Sequence, residues 1–181
     1  SSTHVIPHDI YLDRILASVF SKTGRKPMDE LDLVSQSLPM RDMENHHRKL
    51  WDGVSAERAD FYDGLRAQDF TIDFADDGVG LAGKYRRTAS GYYIDVGTSA
   101  KVTAGDIRIA SGSGVGHLEK DAVVLQDGRR LEADAVVYAT GFGSMEDWVA
   151  QLIDQPTADR LGRCWGYGSG FKGDPGPWEG E

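Results

Sequence analysis

The stretch that most constrains this fold is residues 131–143, LEADAVVYATGFG. Its apolar run over 135–139 is short, continuous and bounded by a turn signal, the pattern of a strand covered on both faces as in a parallel sheet. The run leads into Thr140-Gly141-Phe142-Gly143 and then into a helix starting at Ser144. Ligands of open parallel sheets lie just outside the carboxyl ends of the strands, where Thr140 and Gly141 fall. Gly141 lacks a Cβ, so the backbone there can turn sharply or approach a flat cofactor closely. A strand-to-helix turn that needs glycine for its own geometry has the same signature, and only the neighbouring motifs separate the two readings.

Before residue 68 the apolar residues recur at helical spacing. Residues 1–8 read as a loop, with Pro7 disfavouring a helix before it. Asp9 is placed to cap a helix carrying Leu12, Ile15, Leu16 and Val19 on one face. Pro27 can open a second helix with Leu31, Val34 and Leu38 aligned. A third, over 41–51, buries Met43, Leu50 and Trp51; a fourth, over 57–67, has Ser55 as its cap and buries Phe61, Tyr62 and Leu65. Four helices in a row read as an insertion that builds a wall or lid over a pocket.

From Phe70 the period switches to two. Phe70, Ile72 and Phe74 alternate with Thr71 and Asp73; Asp76-Asp77-Gly78 is a turn; residues 80–87 read as a short helix or loop. Strands are expected over 92–96, at Ile107 and Ile109, at Leu118 and over 123–125, with a turn at Gln126-Asp127-Gly128. The run SGSGVGH after Ile109 imitates a dinucleotide-binding glycine loop, but His117 stands where the third glycine belongs, so SGSG reads as a hairpin loop or bulge. Beyond Gly143, Ser144 and Asp147 have capping-box spacing, and Met145, Trp148, Val149, Leu152 and Ile153 form one apolar stripe. Pro156 interrupts, residues 158–161 make one helical turn, and the Gly- and Pro-rich remainder is loop.

Composition closes several function classes. The 181 residues carry 29 acidic against 20 basic side chains, a net charge of −9 that disfavours a nucleic-acid partner. The basic pairs Arg86-Arg87 and Arg129-Arg130 read as solvated strand ends. No apolar run approaches the ~18 residues of a membrane span, and SSTHVIPHD has neither the basic nor the apolar region of a signal peptide. Cys164 is the single cysteine, which fits a reducing, cytoplasmic setting and offers no Cys-His pairing. His4 and His8 straddle Pro7, and His46 and His47 are adjacent, so no metal site is read from either pair.

The strings GYYIDVG (91–97), DAVVLQDGRRLEADAVVYATGF (121–142) and FKGDPGPWEGE (171–181) together resemble the flavin-containing monooxygenases, in a branch akin to dimethylaniline and Baeyer–Villiger monooxygenases. The resemblance covers most of the chain and is strongest from Phe70 onward. Neither of that family's two glycine-rich nucleotide fingerprints is recognised, so the chain reads as an internal piece of a longer enzyme. The implied fold is α/β, part of a flavoprotein with two dinucleotide-binding, Rossmann-like units. Residues 1–68 form a helical segment after the NADPH-binding unit, 69–143 a β-rich segment ending in the ATG motif, and 144–181 a capped helix and tail.

The implied cofactors are FAD and NADPH. In the family, NADPH reduces the flavin, which captures O2 as a C4a-hydroperoxide and delivers one oxygen atom to a soft N or S centre or a ketone of a small-molecule substrate. Thr140, Gly141 and Phe142 match the motif and are the expected cofactor contacts; Ser1 and Ser2 correspond to the tail of a segment near the NADPH ribose phosphate. No catalytic acid, base or nucleophile assembles in the sequence. Two rival readings stand beside this one: a non-catalytic fragment or binding module, and another two-dinucleotide flavoprotein oxidoreductase.

Overall fold

The most deeply buried strand among the described residues lies in a segment the sequence pattern assigns to a loop. In the computed structural model, which describes residues 3–16, 27–89, 91–141 and 143–163, β1 (His4–Pro7) has His4, Val5 and Ile6 fully buried. It pairs in parallel with β2 (Tyr92–Asp95), Val5 beside Tyr93 and Ile6 beside Ile94. On its other side Thr3 forms a parallel bridge to Ile72, its N–H donating to the Thr71 carbonyl and its own carbonyl accepting from Asp73. The loop reading is therefore corrected for His4–Pro7. Val5 and Ile6 are β-branched, and Pro7 sits where a strand ends and a helix begins, so its missing N–H costs nothing. Pro7 immediately precedes α1 (His8–Ile10), which continues as a π-helical turn over Tyr11–Leu16, two residues earlier than an Asp9 cap requires.

The helices of the first half cover β1. Pro27 and Pro39 stand immediately before α2 (Met28–Ser37) and α3 (Met40–Glu57), as the proline preference for helix starts predicts. The 18 residues of α3 run past the expected end at Trp51 and through Gly53 and Ser55. Ser55 Oγ donates back to the Asp52 carbonyl and caps nothing, which corrects its sequence assignment. Trp51 and Val54 of α3 and Tyr62 and Leu65 of α4 (Ala59–Arg66) pack with Val5, Ile6, Ile10 and Val102 into the main core. The Tyr62 hydroxyl donates to the Val5 carbonyl at 3.1 Å, tying α4 to the strand, and burial raises its phenol above the usual range. Of the apolar face read on α2, Leu31 is half-buried while Val34 and Leu38 are exposed, as is Leu33 beside them.

The second half is mixed. Phe70, Ile72 and Phe74 do turn one face to the core, but their strand is reduced to the single bridge at Ile72. Two short helices intervene, α5 (Leu81–Thr88) and α6 (Thr98–Thr103). The second is invisible to a period-two reading; it is set by Asp95, whose Oδ1 accepts the N–H groups of Gly97 and Ser99. Ile107 and Ile109 form no strand, although Ile109 packs on the core. An antiparallel sheet follows in the order β3 (Val115–Leu118), β4 (Ala122–Leu125) and β5 (Arg130–Glu132), with Gly128 at φ +87° in the turn. Two helices close the described chain, α7 (Met145–Leu152) and α8 (Gln155–Leu161), each with a side-chain cap. Ser144 accepts from the Asp147 N–H as its spacing predicts, and Asp154 accepts from Thr157. Pro156 opens α8 in its first turn and does not interrupt it.

The tightest contact in the core joins three of these pieces. The His4 ring lies 4.2 Å, edge-on, from Trp51 and 4.6 Å from Phe74. Gly80, at φ +66°, closes over them; a Cβ there would stand 2.5 Å from Trp51 Cδ1 and 2.7 Å from His4 Cε1. Strain of the backbone and steric overlap then add. Gly80→Ala is expected to cost about 3 kcal/mol in urea denaturation. A loss below about 1 kcal/mol contradicts this packing.

Candidate functional site

The residues that the sequence nominates as a site do not sit in a pocket. After β5, Ala133 closes the ladder by donating to the Asp121 carbonyl, and no strand follows before Gly141. Val136, Val137 and Tyr138 are exposed by 43%, 89% and 71%. The buried strand expected over 135–139 is therefore absent. The sheet ends at β5, whose outer edge stays unpaired, so residues 135–139 have no strand beside them among the described residues. Thr140 and Gly141 are exposed as well. Gly141 has φ +86° and open space where a Cβ would stand, so within the described residues the backbone conformation alone calls for glycine. Phe142, Ser1, Ser2 and Cys164 lie outside the described residues. The stripe on α7 shares the exposure of the 135–139 run: Met145, Trp148, Leu152 and Ile153 are all uncovered.

Arg87 is not a solvated strand end. Its guanidinium is buried on α5 and donates to both oxygens of Asp77, at 2.9 Å each, and to Glu44 Oε1 of α3 at 2.8 Å. Arg48 joins from α3, donating to Asp77 Oδ2 at 2.7 Å and to the Asp77 carbonyl at 3.0 Å. Burial alone would raise the Asp77 carboxyl, but the hydrogen bonds from Arg87 and Arg48 outweigh it and bring it down to about 2. Two cations meet two carboxylates, so the network is neutral and locks α3 to the turn before α5. Beside it, Lys84 pairs with Asp73. Arg129 and Arg130 are exposed and pair along the hairpin with Asp127, Glu119 and Asp121.

His4 and Trp51 are the unusual members of the core. Both imidazole nitrogens and the indole N–H are buried without a hydrogen-bond partner. Burial, reinforced by the Lys84 charge, lowers the His4 pKa to about 3, and burial with the charge on His46 lowers His47 to about 4. Among the described residues no group of three or more His, Cys, Asp or Glu is placed to hold a metal ion.

One motif that sequence reasoning passed over becomes visible here. Gly78-Val79-Gly80-Leu81-Ala82-Gly83 has the G-x-G-x-x-G spacing, after a segment bridged in parallel to Thr3, the residue before β1, and at the opening of α5. The signal was present, but residues 80–87 read as a loop or short helix and hid it. Gly78 and Gly80 both have positive φ, at +73° and +66°. The close approach that the second glycine gives a pyrophosphate in the dinucleotide fold is taken here by the Trp51 and His4 rings. A separate open cleft of about 590 Å³ lies at the carboxyl end of β2, lined by Asp60, Phe61, Asp95, Ser99 and Thr103 among others, with no Lys or Arg. Ser99 is buried and its Oγ lies 2.7 Å from the Tyr93 hydroxyl.

No model of a known protein family matches the chain, and no curated protein matches it significantly. No helix among the described residues is long and apolar enough to cross a membrane.

Two measurements check this geometry. A charge at an exposed, unpaired position costs little, so Val137→Asp is expected to change stability by no more than about 0.5 kcal/mol. A loss of several kcal/mol would mean that 135–139 is buried after all. The second concerns acid. The folded pKa of His4 lies below its unfolded value, so its contribution is complete above the unfolded value near 6.5 and is lost as pH falls towards 3. Lowering pH from 6.5 to about 5 is expected to remove ~2 kcal/mol through His4, with His47 adding in the same direction. His4→Phe shallows that slope in urea titrations; equal slopes in the variant and the parent protein contradict the assignment.

Proposed function

We propose that this chain is part of an FAD- and NADPH-dependent monooxygenase that inserts one oxygen atom of O2 into a small organic substrate at a soft N or S centre or a ketone. The observation that carries the reading is the sequence of 121–142, in which an acidic residue, a continuous apolar run and Ala-Thr-Gly-Phe follow one another without a break. The exposed face supports it. Ala-Val-Val-Tyr-Ala is a composition suited to a strand buried on both faces, yet it lies uncovered beside an uncovered apolar helix stripe. Such a surface is what remains when a parallel sheet loses the strands and layers that complete it.

The described residues do not by themselves fit a flavin. Thr140 and Gly141 are exposed with nothing gathered around them, and the cleft beside β2 presents two carboxylates, which repel a diphosphate. No reaction step is therefore assigned to residues of this chain. Its expected part is to supply the closing strand, and the turn at Thr140 and Gly141, to a cofactor site completed by other segments.

The purified 181 residues are accordingly expected to be colourless and to leave NADPH unoxidised. The same residues, expressed within a longer polypeptide that includes the coding sequence preceding Ser1, are expected to carry stoichiometric flavin and to consume NADPH and O2. A yellow 181-residue preparation would show that the cofactor is held here, and a colourless longer polypeptide would contradict the flavoprotein reading. In that longer protein, Gly141→Val is expected to raise hydrogen peroxide released per NADPH oxidised while changing the melting temperature little. A variant with unchanged coupling and flavin content reduces Gly141 to a turn residue.

A further inference from the structure

The antiparallel sheet stops at β5 on an open edge. Val123 lies opposite Leu131, the Leu125 N–H donates to the Arg129 carbonyl, and the Ala133 N–H donates to the Asp121 carbonyl. Hydrogen-bonded and non-hydrogen-bonded pairs alternate along such a ladder. The backbone groups of Arg129, Leu131 and Ala133 therefore turn towards β4, and those of Arg130 and Glu132 point outward. No strand pairs with that side among the described residues. A row of outward N–H and C=O groups is a template for another strand, and neither a proline nor a bulge closes β5.

The side chains say which strand fits. β5 reads Arg-Leu-Glu, all exposed, with Arg130 and Glu132 on one face of the sheet and Leu131 on the other. In a two-fold antiparallel pairing centred on Leu131, each Arg130 stands directly opposite Glu132 of the second copy, and each such pair exchanges two backbone hydrogen bonds. Centring on Arg130 or Glu132 sets that residue against itself, and centring on Ala133 sets Glu132 against Asp134. Directly opposed like charges are destabilising, so one register is left. On the other face the same pairing prolongs an apolar row. Leu118 and Leu131 flank Val123 across the sheet, 44% and 37% exposed, and the two Leu131 side chains meet at the axis. Within one copy Arg130 is held by Glu119 and Asp121, whereas Glu132 stands 3.6 Å from it with its side chain 87% exposed. Glu132 therefore reaches a second guanidinium at little cost to existing contacts.

We propose that β5 is a docking edge for a second copy of this chain, the two joining Arg130 to Glu132 across a two-fold axis at Leu131 to make one continuous antiparallel sheet. Charge on a short edge ordinarily keeps strands apart. Here its alternation makes each edge the complement of its own copy. Three residues a side are a small contact, so the association is weak and concentration-dependent. It uses neither residues 135–139 nor α7, and it stands whether or not the flavoprotein reading does.

The test is sedimentation equilibrium of the 181-residue chain over about 10 µM to 1 mM. The weight-average mass is expected to rise from 19.8 kDa towards twice that value with concentration. Glu132→Arg and Arg130→Glu each set like charges across the axis, and each is expected to weaken self-association about tenfold or more. Mixed in equal amounts, the two variants oppose only unlike charges, so a heterodimer is expected at close to the parent affinity. Glu132→Pro removes an outward N–H without touching the ladder to β4, and is also expected to weaken association. A chain that stays monomeric throughout overturns the docking edge, as does association that Glu132→Arg leaves unchanged or a mixture no better than either variant alone. Association lost instead in Val137→Asp assigns the contact to residues 135–139 and overturns it equally. If Arg130→Glu fails to fold after losing Glu119 and Asp121, Glu132→Arg and Glu132→Pro decide.

Discussion

Gly80 brings the turn before α5 so close to β1 and α3 that its missing side chain becomes a structural requirement. With φ at +66° and a virtual Cβ within 2.7 Å of both rings, the backbone itself serves as the wall against which His4 and Trp51 pack. Removing water from these rings contributes through their apolar area, but leaves three polar nitrogens unpaired, and each unpaired group opposes folding. The Arg87–Asp77–Glu44–Arg48 network stands next to this contact and joins the same two elements, α3 and the turn before α5. Its cations and carboxylates satisfy one another, so burying Arg87 does not strand a charge.

The parallel pair β1 and β2 follows from that contact. With His4 fixed, Val5 and Ile6 belong to one buried cluster with Trp51, Val54, Tyr62 and Leu65, and the Tyr62 hydroxyl donates to the Val5 carbonyl. Helices that in sequence resemble an insertion are thus the covering layer of the sheet. The layer is one-sided along the chain: α3 and α4 each bury two residues, Trp51 and Val54, Tyr62 and Leu65, whereas α2 leaves Leu33, Val34 and Leu38 in solvent.

What could be read from the sequence divides along physical lines. Helices with a clear 3.6 period and a proline at their start, α2 and α3, were legible, as were β2, β4 and the Ser144 cap, because in each the signal is local. The strand His4–Pro7 was not: four residues are too few for a period, and a proline at the end reads as a loop. Helix α6 depended on Asp95 accepting two N–H groups, which composition does not announce. The buried character of Arg87 arose from partners 10 and 43 residues away. The largest departure concerned 135–139, whose composition is right for a strand while its pairing partners are not found among the described residues. Of the proposed cofactor contacts, Thr140 and Gly141 fall on that uncovered segment, so the motif remained legible while the site around it did not.

Two kinds of surface therefore coexist: a closed core organised by Gly80, and an apolar segment over 135–139 with α7 that lacks its cover. Amide hydrogen exchange on the purified chain, followed on the same chain within a longer polypeptide, tests this division most directly. Slow exchange is expected in β1, β2 and the Trp51 region of α3 in both, with 135–141 exchanging at nearly unprotected rates alone and becoming protected in the longer protein. Protection of 135–141 in the isolated chain, at the level of β1, would contradict the account.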